Sequence, residues 1–310
     1  MLEGLLTSIA RRPAVLNALI ALPGMHRLAR RFVPGEDLAA GLAAIRTLNA
    51  RGIKASLTLV GTHILDRPAA IAATEAVIEA LRRIDVDGLD SQLSVKLTHI
   101  GFDVDPGLAR THLERILDSA ASSGNFVRID MEESVYVDRT IELFEEMHER
   151  YGPTTVGIAV QSYLRGRSAD LDRLLDRGAA IRLVKGGYLE AAEVVLRDPS
   201  ALAAAFDADI ERLLRRGRQP AIATQNPHAI RRVRAVEHDL GLEPGAFEFE
   251  MLYGVRTDLR DALLELGYVV RIYVPCGPHG TAFVFGCLRR LPGGVARRAI
   301  DRIRRRADLI

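Results

Sequence analysis

The chain carries almost no surplus of charge: 42 Lys and Arg face 40 Asp and Glu, a formal net charge of +2 over 310 residues. A protein that tracks a phosphate backbone needs a basic excess, so nucleic acid is not an expected partner. Cysteine is scarce too. Cys276 and Cys287 are too few for a disulfide framework and lack zinc-site spacing. No apolar run approaches the roughly 18 residues that a membrane-spanning helix needs, and the longest early one, 14–22, is interrupted by Asn17. Arg11 and Arg12 before it imitate an export signal, but Pro23-Gly24-Met25-His26 stands where small cleavage-site residues belong. The expectation is a cytoplasmic protein. Several catalytic signatures are missing as well. VGTHILD, after the first strand-like run, contains no GxGxxG, which argues against a dinucleotide fold. No GxSxG elbow exists, and His63, His99, His228 and His279 show neither HxH nor HExxH spacing, so no metal site is expected.

What is present is a hydrophobic fraction of 48% with 26% charged residues, enough for a sizeable core and incompatible with a disordered chain. Eight short β-branched or apolar runs follow one another: 54–61, 92–98, 126–132, 155–161, 180–186, 220–225, 246–252 and 268–274. Helical patterns separate them. Ile141, Phe144 and Met147 share one face after the third run, as do Leu202, Phe206 and Ile210 after the fifth. Each gap therefore has room for the crossover helix that parallel neighbours require. Eight strand-helix units in about 250 residues predict an α/β fold of the (βα)8 barrel class, a TIM barrel, rather than a doubly wound sheet. Extra N-terminal helices, one of them over 38–49, precede it. No Ser/Gly-rich linker divides the chain, which predicts a single domain over 1–310. Its parts are N-terminal helices (1–52), the barrel (53–291) and a basic helix (292–310) that is solvated or makes a weak peripheral membrane contact.

Barrel chemistry belongs at the C-terminal ends of the strands. Those ends carry Lys96, Asp130, Glu132, Gln161, Arg182, Lys185, Thr224, Gln225, Glu250 and Tyr273. A single strand-end charge is easily a structural ion pair, whereas several aimed at one mouth point to a site. Lys96 or Lys185 also leaves open a Schiff-base lyase.

The runs themselves narrow this. SVKLTHIG, VRIDMEE, VQSYLRGRSADL, IRLVKGGYLEA, ATQNP, FEFEMLYGVR and VRIYVPCG occur in that order and closely resemble the proline dehydrogenase family of flavoenzymes, over about 55–291. The resemblance implies a distorted (βα)8 barrel that holds FAD non-covalently. It implies oxidation of L-proline to pyrroline-5-carboxylate, with electrons passed to a quinone or another acceptor. By motif, Arg182 resembles the arginine beside the flavin N5 and N1 edge. Gln161 resembles the residue that bonds the isoalloxazine pyrimidine, and Lys185, Gly186, Thr224 and Asn226 match positions around the ribityl and pyrophosphate groups. Lys96 resembles the lysine near the substrate carboxylate, Asp130 the acid that pairs with it, and Tyr188, Leu252 and Tyr273 the pocket walls. Arg289 and Arg290 in CLRRL resemble the arginine pair that clamps that carboxylate.

Four positions depart from the family pattern. Gln225 stands where ATHN or ATHD has histidine, and Glu250 where FEFQ has glutamine. An acid there disfavours an anionic reduced flavin unless it is paired. Gly286 replaces a tyrosine that closes the pocket, and Pro292-Gly293-Gly294 interrupts the helix after the arginine pair. Gly286 leaves space for a substrate bulkier than proline, such as a hydroxyproline or another secondary amine. A flavin-free, non-catalytic barrel is the remaining alternative.

Overall fold

The structure, a computed structural model, describes residues 31–277. The helices expected upstream of residue 31, the basic C-terminal helix, and Gly286, Arg289 and Arg290 lie outside the described residues. Helix α1 (Leu38–Asn49) leads into β1 (Lys54–Leu59), α2 (Arg67–Val86), β2 (Ser91–Val95), α3 (Pro106–Ser122), β3 (Val127–Ile129) and α4 (Val137–Tyr151). Then come β4 (Val156–Gln161), α5 (Ser168–Asp176), β5 (Ala180–Val184), α6 (Pro199–Arg216), β6 (Arg218–Ala223), α7 (Pro227–Leu240), β7 (Glu248–Leu252), α8 (Thr257–Glu265) and β8 (Val269–Cys276). The strands are all parallel and close in sequence order, with β8 pairing β1. The expected barrel is what forms.

Local chemistry places the helix starts. Asp66, Asp105, Asp198 and Asn226 each cap a helix whose first turn contains proline, and each side chain accepts a backbone N–H inside that turn. A cap plus a proline ends each of these mouth loops at a fixed residue. Strand ends were less visible in the sequence. The third run, expected to reach 132, leaves the ladder at Ile129, because Asp130 and Glu132 turn their carboxylates to partners at the mouth. The first run stops at Leu59, two residues early, and the last continues to Cys276. A register shift between Ala180 and Arg182, opposite β6, supplies the distortion.

Alternation sorts the strands into two faces. Leu57, Leu93, Ile129, Ile158, Leu183, Ile222, Phe249 and Ile272 point outward and are buried with the inner faces of the helices, including Ile84, Ile116, Phe144 and Phe206. The opposite parity faces the lumen, and there the residues are polar: Ser56, Ser94, Arg128, Arg182, Glu248, Glu250 and Arg271. Space for these long side chains comes from β4 and β6, whose lumen positions are Gly157, Ala159, Ala221 and Ala223. Gly157 is required by a close approach. A Cβ there would lie 2.5 Å from Ala180 O, 2.5 Å from Phe126 Cζ and 2.8 Å from Arg128 Nη1.

Replacing Gly157 by alanine is therefore expected to destabilise the barrel by about 1–3 kcal/mol, the usual cost of overpacking. Chemical unfolding monitored by circular dichroism measures this as a lowered midpoint with an unchanged denaturant slope.

Candidate active site

Arg182, on β5, sits almost fully buried under the C-terminal mouth of the barrel. A guanidinium removed from water needs anions and acceptors around it, and four strands provide them. Its Nη1 donates to Asp130 Oδ1 at 2.7 Å, while Nη2 donates to Ser94 Oγ at 3.0 Å and Ser56 Oγ at 3.2 Å. Its Nε lies 2.6 Å from Glu250 Oε2. That last contact is an ion pair without hydrogen-bond alignment, and both Glu250 oxygens are buried without an aligned donor among the described residues. The Tyr273 ring covers the guanidinium, 5.4 Å from Cζ to ring centroid.

Above Arg182, Asp130 links three more groups. Its Oδ2 accepts from the Tyr273 hydroxyl at 2.7 Å and from Lys96 Nζ at 3.1 Å, and Lys96 Nζ lies 3.3 Å from the same hydroxyl. Burial pushes the Asp130 carboxyl up, but Lys96, Arg182 and the Tyr273 hydrogen bond together hold it below the ordinary aspartate value. Burial likewise works against the Lys96 ammonium, yet the fields of Tyr273, Asp130, Tyr188 and Glu132 raise its pKa well above that of a free lysine. A Schiff-base lysine needs the reverse, a neutral amine, so Lys96 is a fixed cation and not a nucleophile. Burial and Asp130 raise the Tyr273 phenol, keeping it a proton donor. Burial raises Glu132 as well, against the pull of Thr98, whose Oγ1 (2.6 Å) and backbone N (3.1 Å) both bond it.

Around this cluster stand the residues expected to hold a cofactor. Gln161 ends β4 and donates from Nε2 to the carbonyls of Met131 and Glu132, both at 3.2 Å. Its Oε1 is buried with no partner among the described residues. Such an acceptor asks for an N–H from something bound, which is what the edge of an isoalloxazine offers. Gly186 has φ +94, and a Cβ on it would overlap the Tyr163 ring, so the chain passes the mouth where only glycine fits. Lys185 Nζ lies 5.8 Å from the Phe206 ring centroid. Thr224 donates its backbone N–H to Glu250 O and accepts the Asn226 N–H, while the Asn226 side chain caps α7. Gln225 Oε1 accepts the Leu252 N–H at 3.2 Å. Tyr188 is half-buried, and burial raises its phenol pKa against the opposing pull of Lys96.

A sequence profile of the family described as proline dehydrogenase matches residues 41–292. The proline dehydrogenase of Deinococcus radiodurans is 33% identical over 293 residues, 93% of this chain and 94% of that one. Proline dehydrogenase 1 of Bacillus subtilis subsp. natto is 31% identical over 268 residues, 86% of this chain and 88% of its own length. This chain belongs to the proline dehydrogenase family. Among solved structures, proline utilization A (PutA) from Bdellovibrio bacteriovorus, inactivated by N-propargylglycine, superposes with a TM-score of 0.79 at 22% identity, over 86% of this chain. The chain spans about a third of that structure's length, 32%, and the likeness concerns the fold.

Within the proline dehydrogenase frame, the structure brings Lys96, Asp130, Arg182, Tyr273 and Glu250 into one bonded network and sets Gln161 beside it. The acid at the FEFQ position is paired, since Glu250 faces Arg182. Sequence reading had passed over Ser56 and Ser94, which hold Arg182, and the layer beneath it. There Arg271 Nε pairs Glu248 Oε1 at 2.8 Å, and Arg128 Nη1 donates to Ala180 O at 2.8 Å. Burial and the repulsion of Arg182 bring the Arg128 pKa down to about 10. The signal was available as polar residues two apart within single runs: Ser94 and Lys96, Arg128 and Asp130, Glu248 and Glu250, Arg271 and Tyr273.

Asp130→Asn strands two buried cations and is expected to cost about 3–5 kcal/mol near neutral pH. Because the folded pKa is depressed, Asp130's contribution is complete above the unfolded value of about 3.9 and disappears as pH falls through the folded one. Urea unfolding of wild type and variant should show a constant gap from about pH 7 to about pH 4 that closes below it.

Proposed function

We propose that this protein is an FAD-dependent dehydrogenase that oxidises L-proline to pyrroline-5-carboxylate. The observation that carries the reading is the convergence of Lys96, Asp130, Arg182 and Tyr273, from four different strands, at the mouth of a barrel of this family. FAD, when bound, supplies the acceptor for the hydride that leaves the substrate carbon. Gln161 Oε1 offers an acceptor for the pyrimidine edge, and Arg182 supplies positive charge beside it. By motif, Lys185, Gly186, Thr224 and Asn226 would hold the ribityl and pyrophosphate groups, and Gln225 would offer FAD a further hydrogen bond.

Lys96 remains an ammonium throughout the working pH range and serves as a fixed anchor for the amino-acid carboxylate. By the family motif, Arg289 and Arg290 would add a clamp on that carboxylate, and Tyr188, Leu252 and Tyr273 would wall the pocket. Asp130 accepts from both Lys96 and Arg182, and so holds the two cations side by side at fixed positions against their mutual repulsion. No protein base is required at the carbon. A secondary amine bound without its extra proton drives hydride loss from its own lone pair, and the residues contribute position. We infer that the electrons pass on to a quinone or another external acceptor, met in the cytoplasm or at the inner membrane face. No described helix is long and apolar enough to cross a membrane.

Gly286 favours a second substrate reading, a bulkier cyclic amino acid such as a hydroxyproline. Steady-state oxidation of proline and 4-hydroxyproline with a dye acceptor separates the two. A kcat/KM at least about tenfold higher for proline is expected, a difference near 1.4 kcal/mol; the reverse preference transfers the assignment to the larger ring. Lys96→Met should lower kcat/KM by about 10- to 150-fold through loss of a charged hydrogen bond, with flavin content unchanged. Loss of flavin in parallel with activity would reject the anchoring role.

A further inference from the structure

We propose that Glu250 is the counter-charge of Arg182, a positioning residue that acts through the guanidinium to lower the reduction potential of the bound flavin and make it depend on pH. The proposal rests on the flavin reading above and deepens it. Two observations lead to it. First, the two terminal nitrogens of Arg182 bond Asp130, Ser56 and Ser94, so Glu250 at 2.6 Å from Nε is the second of the two anions on that cation among the described residues. Second, Glu250 is only 2% exposed, so its charge is not screened by solvent and reaches whatever Arg182 reaches. A neutral amide of the same shape leaves Arg182 one compensating anion; Glu250 gives it a second.

Among the described residues, the strongest charges on Glu250 come from four groups. Glu248 lies two residues before it on β7, Arg271 is on β8, Arg182 is across the lumen on β5, and Arg128 is on β3. The neighbouring strand β6 presents only Ala221 and Ala223. Glu248 is already held as a carboxylate by Arg271, so it is a like charge beneath Glu250. Burial and Glu248 raise the Glu250 pKa above the ordinary glutamate value, against the pull of Arg182. Protonated, Glu250 leaves the Asp130–Arg182 pair balanced, with Lys96 as a net positive charge above it. Ionised, it cancels that charge. Electron density added near Arg182 raises the Glu250 pKa again, so reduction is linked to uptake of a proton at this carboxylate.

The test is the midpoint potential of the FAD-loaded protein, followed spectroelectrochemically from about pH 5 to about pH 9. Wild type should show a steeper fall with pH than the flavin's own proton stoichiometry provides. Glu250→Gln should lie above wild type at the alkaline end, converge with it at the acid end and lose the extra slope. Glu250→Asp, which keeps the charge, should restore the slope. Identical potentials for wild type and Glu250→Gln, or an offset that does not change with pH, would overturn the proposal and leave Glu250 a structural pair. If Glu250→Gln binds no FAD, the wild-type slope and Glu250→Asp decide alone, and a wild-type line with no extra slope overturns it. A wild-type protein that cannot be loaded with FAD removes the flavin reading and this one together; a loaded protein with an unmoved potential removes this one only.

Discussion

A guanidinium enclosed in a barrel lumen has to be surrounded by acceptors, and the arrangement of this molecule follows from meeting that demand at Arg182. No strand can satisfy it alone. Asp130 comes from the end of β3, Glu250 from β7, and the two serine hydroxyls from β1 and β2, so the acceptors meet only when the sheet has closed. Closure also needs room for the side chains that fill the lumen. The small residues of β4 and β6 supply it, Gly157 at the level of Arg128 and Ala159 and Ala221 at the level of Arg182. Most barrels fill this space with branched apolar layers. Here the filling is ionic, and the apolar packing has moved to the seam between strands and helices.

That division explains which features are legible in the sequence. The outer face of every strand is a regular apolar alternation matched to a helical stripe, and such patterns are local, so eight strands, their order and a helix over 38–49 were all legible. Candidate polar residues were legible too, because a charge in a parallel strand stands out. Their pairings were not. The separation between Ser56 and Arg182 is 126 residues and that between Asp130 and Tyr273 is 143, and only the curvature of the barrel sets such partners face to face. Arg128 and Arg271 were missed for a related reason: they lie below the strand ends where chemistry is sought, though they share the parity of Asp130 and Tyr273.

The two carboxylates on Arg182 move in opposite directions, and the cause lies in their other neighbours. Asp130 has a second cation in Lys96 and a phenol that donates to it, enough to outweigh burial. Glu250 has the like charge of Glu248 below it and a poorly aligned contact with its one close cation, so burial prevails. One anion is thereby locked as a charge beside the guanidinium, and the other is left able to titrate.

The consequence for chemistry at the mouth is that the groups bonded to one another there are all held away from neutrality. Lys96 is pushed far up, the Tyr273 phenol is pushed up, and Asp130 is held down. Those directions suit the triad to orienting a ligand and balancing charge more than to relaying protons. A substrate amine is then expected to give up its proton elsewhere than to this triad. Selection for a secondary amino acid must then come from shape and from the fixed pattern of charge, with the acid–base work left to the ligand itself.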